Sequence, residues 1–134
     1  MKKKSELKLE CYRQLGKKLY QVRHHGKTIR FLLSNDPSPS FEKDVVDAVK
    51  AFRDACDTLQ TETGNNRIMM SKQAVDRIAD VISASADLIE GLKCAMSRTV
   101  SADQVVRDLG RQGGLFERCL DGAEKQLARE VDRL

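Results

Sequence analysis

The sequence contains no tryptophan, and aromatic residues make up only 4% of its 134 residues. So small an aromatic content disfavours a β-sandwich, and it also disfavours a nucleic-acid platform of stacked rings. Proline is rare as well, since Pro37 and Pro39 lie together in one short segment. No run of 18 apolar residues occurs, which predicts that no part of the chain crosses a membrane. We therefore expect no membrane partner.

The amino-terminal residues are basic but lack the apolar block of a signal peptide. Three lysines at positions 2–4 are followed directly by Ser5, Glu6, Leu7 and Lys8. A secretory signal would need an apolar segment at this place, so we expect a cytoplasmic protein. The length fits a single domain over residues 1–134, with enough chain to bury a core without disulfide bonds.

The usual residue patterns of metal and catalytic sites are also missing. The four cysteines, Cys11, Cys56, Cys94 and Cys119, form no C-x-x-C pair, and two histidines cannot complete the common zinc spacings. Three of these thiols lie on or beside apolar stripes and are predicted to be reduced packing residues, whereas Cys94 lies off its stripe and is predicted to be the most reactive. Neither histidine has the Glu-x-x-His spacing of di-metal bundles, and no set of acid, base and nucleophile can be assembled. We expect no metal, no cofactor and no enzymatic activity.

Apolar residues recur at steps of three and four in the first half of the chain, which predicts two amphipathic helices. The first helix is predicted over residues 5–33, and its stripe is Cys11, Leu15, Leu19, Val22, Gly26, Ile29 and Leu33. A glycine on the stripe would let a neighbouring backbone come close to it. The second helix is predicted to begin with Ser38 as its cap and Pro39 at its first position, and to stop within residues 61–66.

The third predicted helix runs from Ser71, its cap, to Ser97. Its stripe combines four residues spaced seven apart, Val75, Ile82, Ile89 and Met96, with Ile78, Ser85 and Leu92, and a second apolar row of Ala74, Val81, Leu88 and Ala95 lies beside it. Such a wide buried face predicts a central helix that contacts more than one neighbour.

The fourth predicted helix has the clearest start signal. Ser101 and Gln104 have the spacing of a capping box, and Val100 and Val105 have that of a hydrophobic staple. The stripe then keeps its phase to the end of the chain, which predicts one long helix whose weak point, and expected place for a kink, is Gly113–Gly114. Short connections favour antiparallel neighbours, so the predicted fold is an all-α antiparallel bundle of four long helices.

Charge is the least even feature of the sequence. Residues 1–34 carry ten lysines and arginines against two glutamates, a net charge of +8, whereas residues 35–134 carry 14 basic and 18 acidic residues, a net charge of −4. Five residues of the first helix share a face at steps of four and three, and two more arginines lie near it. The candidate residues for binding a partner or phosphates are Arg13, Lys17, Tyr20, Arg23, His24, Lys27 and Arg30.

Three interpretations of this basic face remain open. The first is a protein-binding module (a regulator, adaptor or inhibitor) that docks a helical face on a partner with an acidic surface. The second is a nucleic-acid-associated protein whose basic side chains neutralise phosphates, although no helix-turn-helix or zinc-finger pattern accompanies them. The third is a solvated surface that attracts the acidic remainder of the bundle. The stripes of the first and fourth helices exceed what a monomer must bury, so a homodimer is also expected.

Overall fold

The computed structural model describes residues 3–34, 41–96 and 102–134, and regular structure in these ranges is helical. The helices are α1 (Lys4–Ser34), α2 (Phe41–Asn65), α3 (Lys72–Met96) and α4 (Ala102–Asp132), and a short 3-10 helix, Arg67–Met69, precedes α3. The predicted all-α helical bundle is thereby confirmed. Helix α4 is one continuous helix through Gly110, Gly113 and Gly114, as the phase of its stripe predicts.

The helices contact one another unequally. Helix α3 packs most extensively on α4, and α1 on α2, while α1 and α4 share a smaller contact and α2 and α3 a sparse one. Tyr12 of α1 contacts Glu130 of α4, whereas Arg30, later in α1, contacts Gly113, earlier in α4. These two helices therefore run in opposite directions. The up-and-down order of all four helices, and a kink at the Gly113–Gly114 pair, stay predictions.

The core draws large side chains from all four helices. Those with almost no exposed surface include Leu15, Leu19, Phe52, Leu59, Ile78, Leu92, Phe116 and Leu120. The rings of Phe52 and Phe116 meet edge to face with their centroids 5.4 Å apart, a favourable geometry for two aromatic rings. Gly26 lies against this pair. The prediction that Gly26 admits a neighbouring backbone was wrong, because the group that approaches is the ring of Phe116.

Helix α2 ends at Asn65, within the stretch 61–66 in which the second helix was predicted to stop. The Thr63 hydroxyl donates to the carbonyl of Leu59 at 2.7 Å, a bond within the helix that gives this side chain a partner. The helix ends where the side chain of Asn66 donates to the carbonyl of Glu62 at 2.8 Å. The polar side chains of this stretch thus bond back to helix carbonyls up to the point where the helix ends.

Helix α3 contacts two neighbours, α4 and α2, as predicted, and the residues of its predicted stripe and second row are buried to different depths. The most deeply buried side chains are those of Ala74, Ile78, Val81, Ser85 and Leu92, whereas Val75 and Ile82 are half-buried. Because α2 and α3 share so few contacts, α2 covers only part of the α3 surface that carries Val75 and Ile82. A groove of about 460 Å³ remains between them, lined on one wall by Val75, Ile78 and Ile82.

Ser71 caps α3 as predicted, since its hydroxyl oxygen accepts a hydrogen bond from the backbone N–H of Ala74 at 3.0 Å. The other predicted start signals, Ser38 with Pro39, the Ser101–Gln104 box and the Val100–Val105 staple, lie outside the described side chains. Among the residues that are described, no helix is both long and apolar enough to span a bilayer.

Candidate functional site

The side chains of α1 form an inner and an outer row. Leu15, Val22 and Ile29 are buried, and the residues two positions further on are exposed. Two residues turn a helix by about 200°, so this exposed row points away from the core. We define the outer face of α1 as six exposed residues at successive steps of four and three, namely Arg13, Lys17, Tyr20, His24, Lys27 and Phe31.

Two large aromatic side chains stand on this face, and they distinguish it from an ordinary charged surface. Tyr20 is 68% exposed and Phe31 is 67% exposed. The ring of His24 between them meets the ring of His25 edge to face at 5.3 Å. Aromatic residues and arginine are enriched at the centres of protein interfaces. Phe31 was not among the predicted site residues, although its step of four from Lys27 continues the pattern.

Arg23 serves the bundle rather than the outer face. Its guanidinium donates to Glu117 at 2.6 Å and to Asp121 at 2.8 Å, and it lies 3.3 Å from Glu124, all three on α4. Partial burial lowers the pKa of Arg23, but the hydrogen bond to Asp121 and the charges of Glu124 and Glu117 outweigh burial and raise that pKa. Here the basic helix does attract acidic residues of the same chain.

Arg30 also turns toward α4. Its Nη2 atom lies 2.8 Å from the position that a β-carbon on Gly113 would occupy, so the missing side chain of this glycine makes room for the guanidinium. Two of the seven predicted site residues, Arg23 and Arg30, therefore face α4. The other five, Arg13, Lys17, Tyr20, His24 and Lys27, lie together on the outer face of α1.

A second exposed basic row runs along α4. It comprises Arg107, Arg111, Arg118, Lys125 and Arg129, with the exposed carboxylate of Asp121 between Arg118 and Lys125. Unlike the outer face of α1, it includes no aromatic residue. The two rows thus offer a matched comparison, because both are cationic and only one also presents rings.

A buried polar cluster ties α1, α3 and α4 together at one end of the bundle. The carboxylate of Glu130, whose residue is 8% exposed, accepts hydrogen bonds from Tyr12 at 2.7 Å, Ser71 at 2.7 Å and Gln126 at 2.9 Å. The ammonium of Lys8 lies 4.0 Å from the same carboxylate. Sequence patterns did not indicate this cluster, because Tyr12 and Glu130 are 118 positions apart.

The electrostatics of this cluster favour a structural role. Burial raises the pKa of Glu130, but the donors Gln126, Ser71 and Tyr12 outweigh it and hold that pKa below its usual value. Burial, followed by the bond to Glu130, raises the pKa of Tyr12 to about 12. The carboxylate thus stays ionised and the phenol keeps its proton near pH 7, so neither group is poised to transfer a proton.

The thiols behave as packing groups where they are described. Cys11 and Cys56 are buried as predicted, Cys119 is half-buried, and burial raises the pKa of all three. The side chain of Cys94, predicted to be the most reactive, lies outside the described residues. Within residues 3–34, 41–96 and 102–134, where side chains are described, no three ligand-type residues cluster in a way that could hold a metal ion.

Models of protein families, curated proteins and solved structures were each compared with this chain, and none matched. Its function must therefore be inferred from its own surface. The outer face of α1 is the surface on which charge, exposed rings and a regular spacing coincide.

Proposed function

We propose that this chain is a non-enzymatic cytoplasmic binding module that docks the outer face of α1 on an acidic surface of another protein. The observation that supports the proposal is the exposure of Tyr20 and Phe31 in one row with Arg13, Lys17 and Lys27. Exposed ion pairs contribute about 0–1 kcal/mol each, so cations alone would bind weakly. The rings supply apolar area that becomes buried when a partner docks.

The spacing of this face favours a helical partner. Steps of four and three give a period of 3.5 residues, so the row follows the helix with little drift. From Arg13 to Lys27 it spans about 21 Å, since each helical residue rises about 1.5 Å. An amphipathic helix that carries Asp or Glu at the same spacing would meet each cation in turn. A regulator, adaptor or inhibitor that acts by such docking needs no catalytic group.

Nucleic acid is the second candidate partner. Residues 11–34 contain Arg13, Lys17, Lys18, Arg23, Lys27 and Arg30 and no acidic residue, so a phosphate backbone would meet no repulsion there. A row of cations on a convex helix contacts phosphates without recognising bases. Binding of this kind is independent of sequence and falls steeply with salt.

A pull-down from native lysate, with and without nuclease, tests the proposal. The test variant carries Arg13→Gln, Lys17→Gln and Lys27→Gln, and because glutamine is nearly as good a helix former as lysine or arginine, helicity should be unchanged. The control variant carries Arg118→Gln, Lys125→Gln and Arg129→Gln on α4, which removes the same charge from a face without rings.

The expected result is an acidic protein that the wild type and the α4 control capture, that the α1 variant loses and that nuclease does not release. Capture that nuclease abolishes, together with retention on heparin only at low salt, would overturn the proposal in favour of nucleic acid. Equal capture by all three proteins would show that the outer face of α1 is only a solvated surface.

A further inference from the structure

Helix α3 carries an acidic counterpart of the basic face on α1. Five of the buried residues along α3 are Ala74, Ile78, Val81, Ser85 and Leu88. The residue two positions after each of them is exposed. We define the outer face of α3 as this row, namely Asp76, Asp80, Ser83, Asp87 and Glu90. Four of its five members are acidic, and the row points away from the core for the same geometric reason as the outer face of α1.

The two faces have matching spacing and opposite charge. Each advances by four, three, four and three residues, so both have the 3.5-residue period of helices that pair along their length. When the two helices are laid side by side and parallel with an offset of 63 residues, each of the first five residues of the outer face of α1 lies opposite one residue of the outer face of α3. We call each such pair a layer. The layers are Arg13 with Asp76, Lys17 with Asp80, Tyr20 with Ser83, His24 with Asp87, and Lys27 with Glu90.

One molecule cannot bring its own two faces together. Helix α1 packs on α2 and α4, and α3 packs on α4 and α2, while each outer face points away from the shared core. A basic face and an acidic face on different sides of one chain can, however, pair between two copies. Charge complementarity of this kind fixes register and discourages pairing of like faces.

We propose that the chain associates with itself head to tail, with the outer face of α1 in one copy docked parallel on the outer face of α3 in the next. This inference rests on the proposed function, because the acidic helix that binds the outer face of α1 is here α3 of a second copy. Such a contact is heterologous, so it generates a closed ring or an open chain of molecules rather than a two-fold dimer.

The contact should be weak and sensitive to salt. Each layer is an exposed ion pair or a polar contact, and such pairs add little individually. The screening length falls from about 10 Å at 0.1 M salt to about 3 Å at 1 M salt. Sedimentation velocity at low salt should show an average mass that rises with protein concentration. The series should extend to about 1 mM protein, so that association with a dissociation constant in the millimolar range can be detected. At 1 M salt the protein should be monomeric.

Two charge-reversal variants test the pairing itself. The first carries Arg13→Glu, Lys17→Glu and Lys27→Glu on α1, and the second carries Asp76→Lys, Asp80→Lys and Asp87→Lys on α3. All six positions are exposed, so both variants should fold, which circular dichroism checks. Each variant alone should be monomeric, since its α1 and α3 faces now carry the same sign. An equimolar mixture should associate again, because each reversed face then meets a reversed partner.

Control variants separate position from net charge. Arg118→Glu, Lys125→Glu and Arg129→Glu on α4 change the net charge as much as the α1 reversal does, and Asp47→Lys, Asp54→Lys and Asp57→Lys on α2 match the α3 reversal. All of these positions are exposed. Both controls should associate like the wild type. Loss of association in the controls, or a mixture of the two reversals that stays monomeric, would overturn the inference.

The failure of this inference is distinguishable from failure of the proposed function. A wild type that stays monomeric at every concentration and salt overturns self-association. The α3 reversal leaves the outer face of α1 intact, so in the pull-down it should still capture an acidic protein if the proposed function holds. Self-association together with capture that depends only on nucleic acid would support the pairing of copies and overturn the proposed docking on another protein.

Discussion

The Cε1 atom of Phe116 lies 2.9 Å from the position that a β-carbon on Gly26 would occupy. Phe116 is 2% exposed, and its ring also meets that of Phe52, so it has little room to move aside. A glycine in the middle of a long helix normally weakens it by about 1 kcal/mol relative to alanine. At this position the absence of a side chain allows α1 to pack closely against the ring pair formed by Phe52 of α2 and Phe116 of α4.

Gly26→Ala should therefore destabilise the protein although alanine favours helices. Overpacking a tight core costs about 1–3 kcal/mol, which exceeds the helix-propensity gain of about 1 kcal/mol. We expect a net loss of up to about 2 kcal/mol in the free energy of unfolding, measured with urea. Gly16→Ala is the matched control, because no atom of another helix lies within 4 Å of its β-carbon position and the substitution should stabilise the helix. Equal stabilisation by both alanines would contradict the packing at Gly26.

Glu130→Gln should destabilise the bundle at neutral pH and much less in acid. Hydrogen bonds to a charged group contribute about 1.5–3 kcal/mol, and the amide keeps only part of the cluster with Tyr12, Ser71 and Gln126. Because the pKa of Glu130 is lowered in the fold, its stabilisation is present above pH 4.5 and is lost as the pH falls through the folded pKa. The gap between wild type and variant should close over that window in urea titrations. Glu90→Gln, at an exposed site, should change stability by less than about 0.5 kcal/mol.

The phenol of Tyr12 should lose its proton only at an unusually high pH. Its pKa in the fold is about 12, raised from 10 by burial and then by the bond to Glu130. The chain has two tyrosines, so Tyr20→Phe leaves Tyr12 as the one chromophore, and its ultraviolet titration should have a midpoint near 12. Since the folded pKa is the higher one, this contribution to stability is full below pH 10 and is lost as the pH rises toward 12. A midpoint near 10 would show that the phenol is not held by Glu130.

Periodicity predicted the four helices because each buries one stripe over many turns, and errors at single positions average out along such a stripe. The end of α2 was predicted only to within residues 61–66 for a local reason, since Thr63 and Asn66 could bond either in a loop or back to the helix, and both satisfy the polar groups. Ser71 was predicted as the cap of α3 from its position alone. Its second bond, to Glu130, depends on a residue 59 positions away that no local pattern reveals.

The outer face of α1 was largely predictable and the exceptions have one cause. Arg13, Lys17 and Lys27 lie opposite the buried stripe, so any neighbour of α1 leaves them exposed. Arg23 and Arg30 lie at its border, where the position of α4 decides whether a side chain meets solvent or another helix. Glu117 and Gly113, which receive them, are remote in sequence.

Two isoleucines one turn apart on α3 provide a direct test of the observed packing. The sequence pattern places both on the apolar stripe, whereas the structure buries Ile78 to 1% exposure and leaves Ile82 half-buried. Ile78→Asp would put an unpaired carboxylate in the core, at a cost of several kcal/mol against a total stability of about 5–15 kcal/mol.

We therefore expect the Ile78→Asp protein to show no cooperative unfolding transition. Ile82→Asp should remain folded with a loss of about 1–3 kcal/mol, because this side chain is only half-buried and its carboxylate can reach water. Circular dichroism during urea unfolding distinguishes the two proteins. If Ile82→Asp also abolishes the transition, α2 must cover that row of α3 in solution, and the groove between the two helices would be closed.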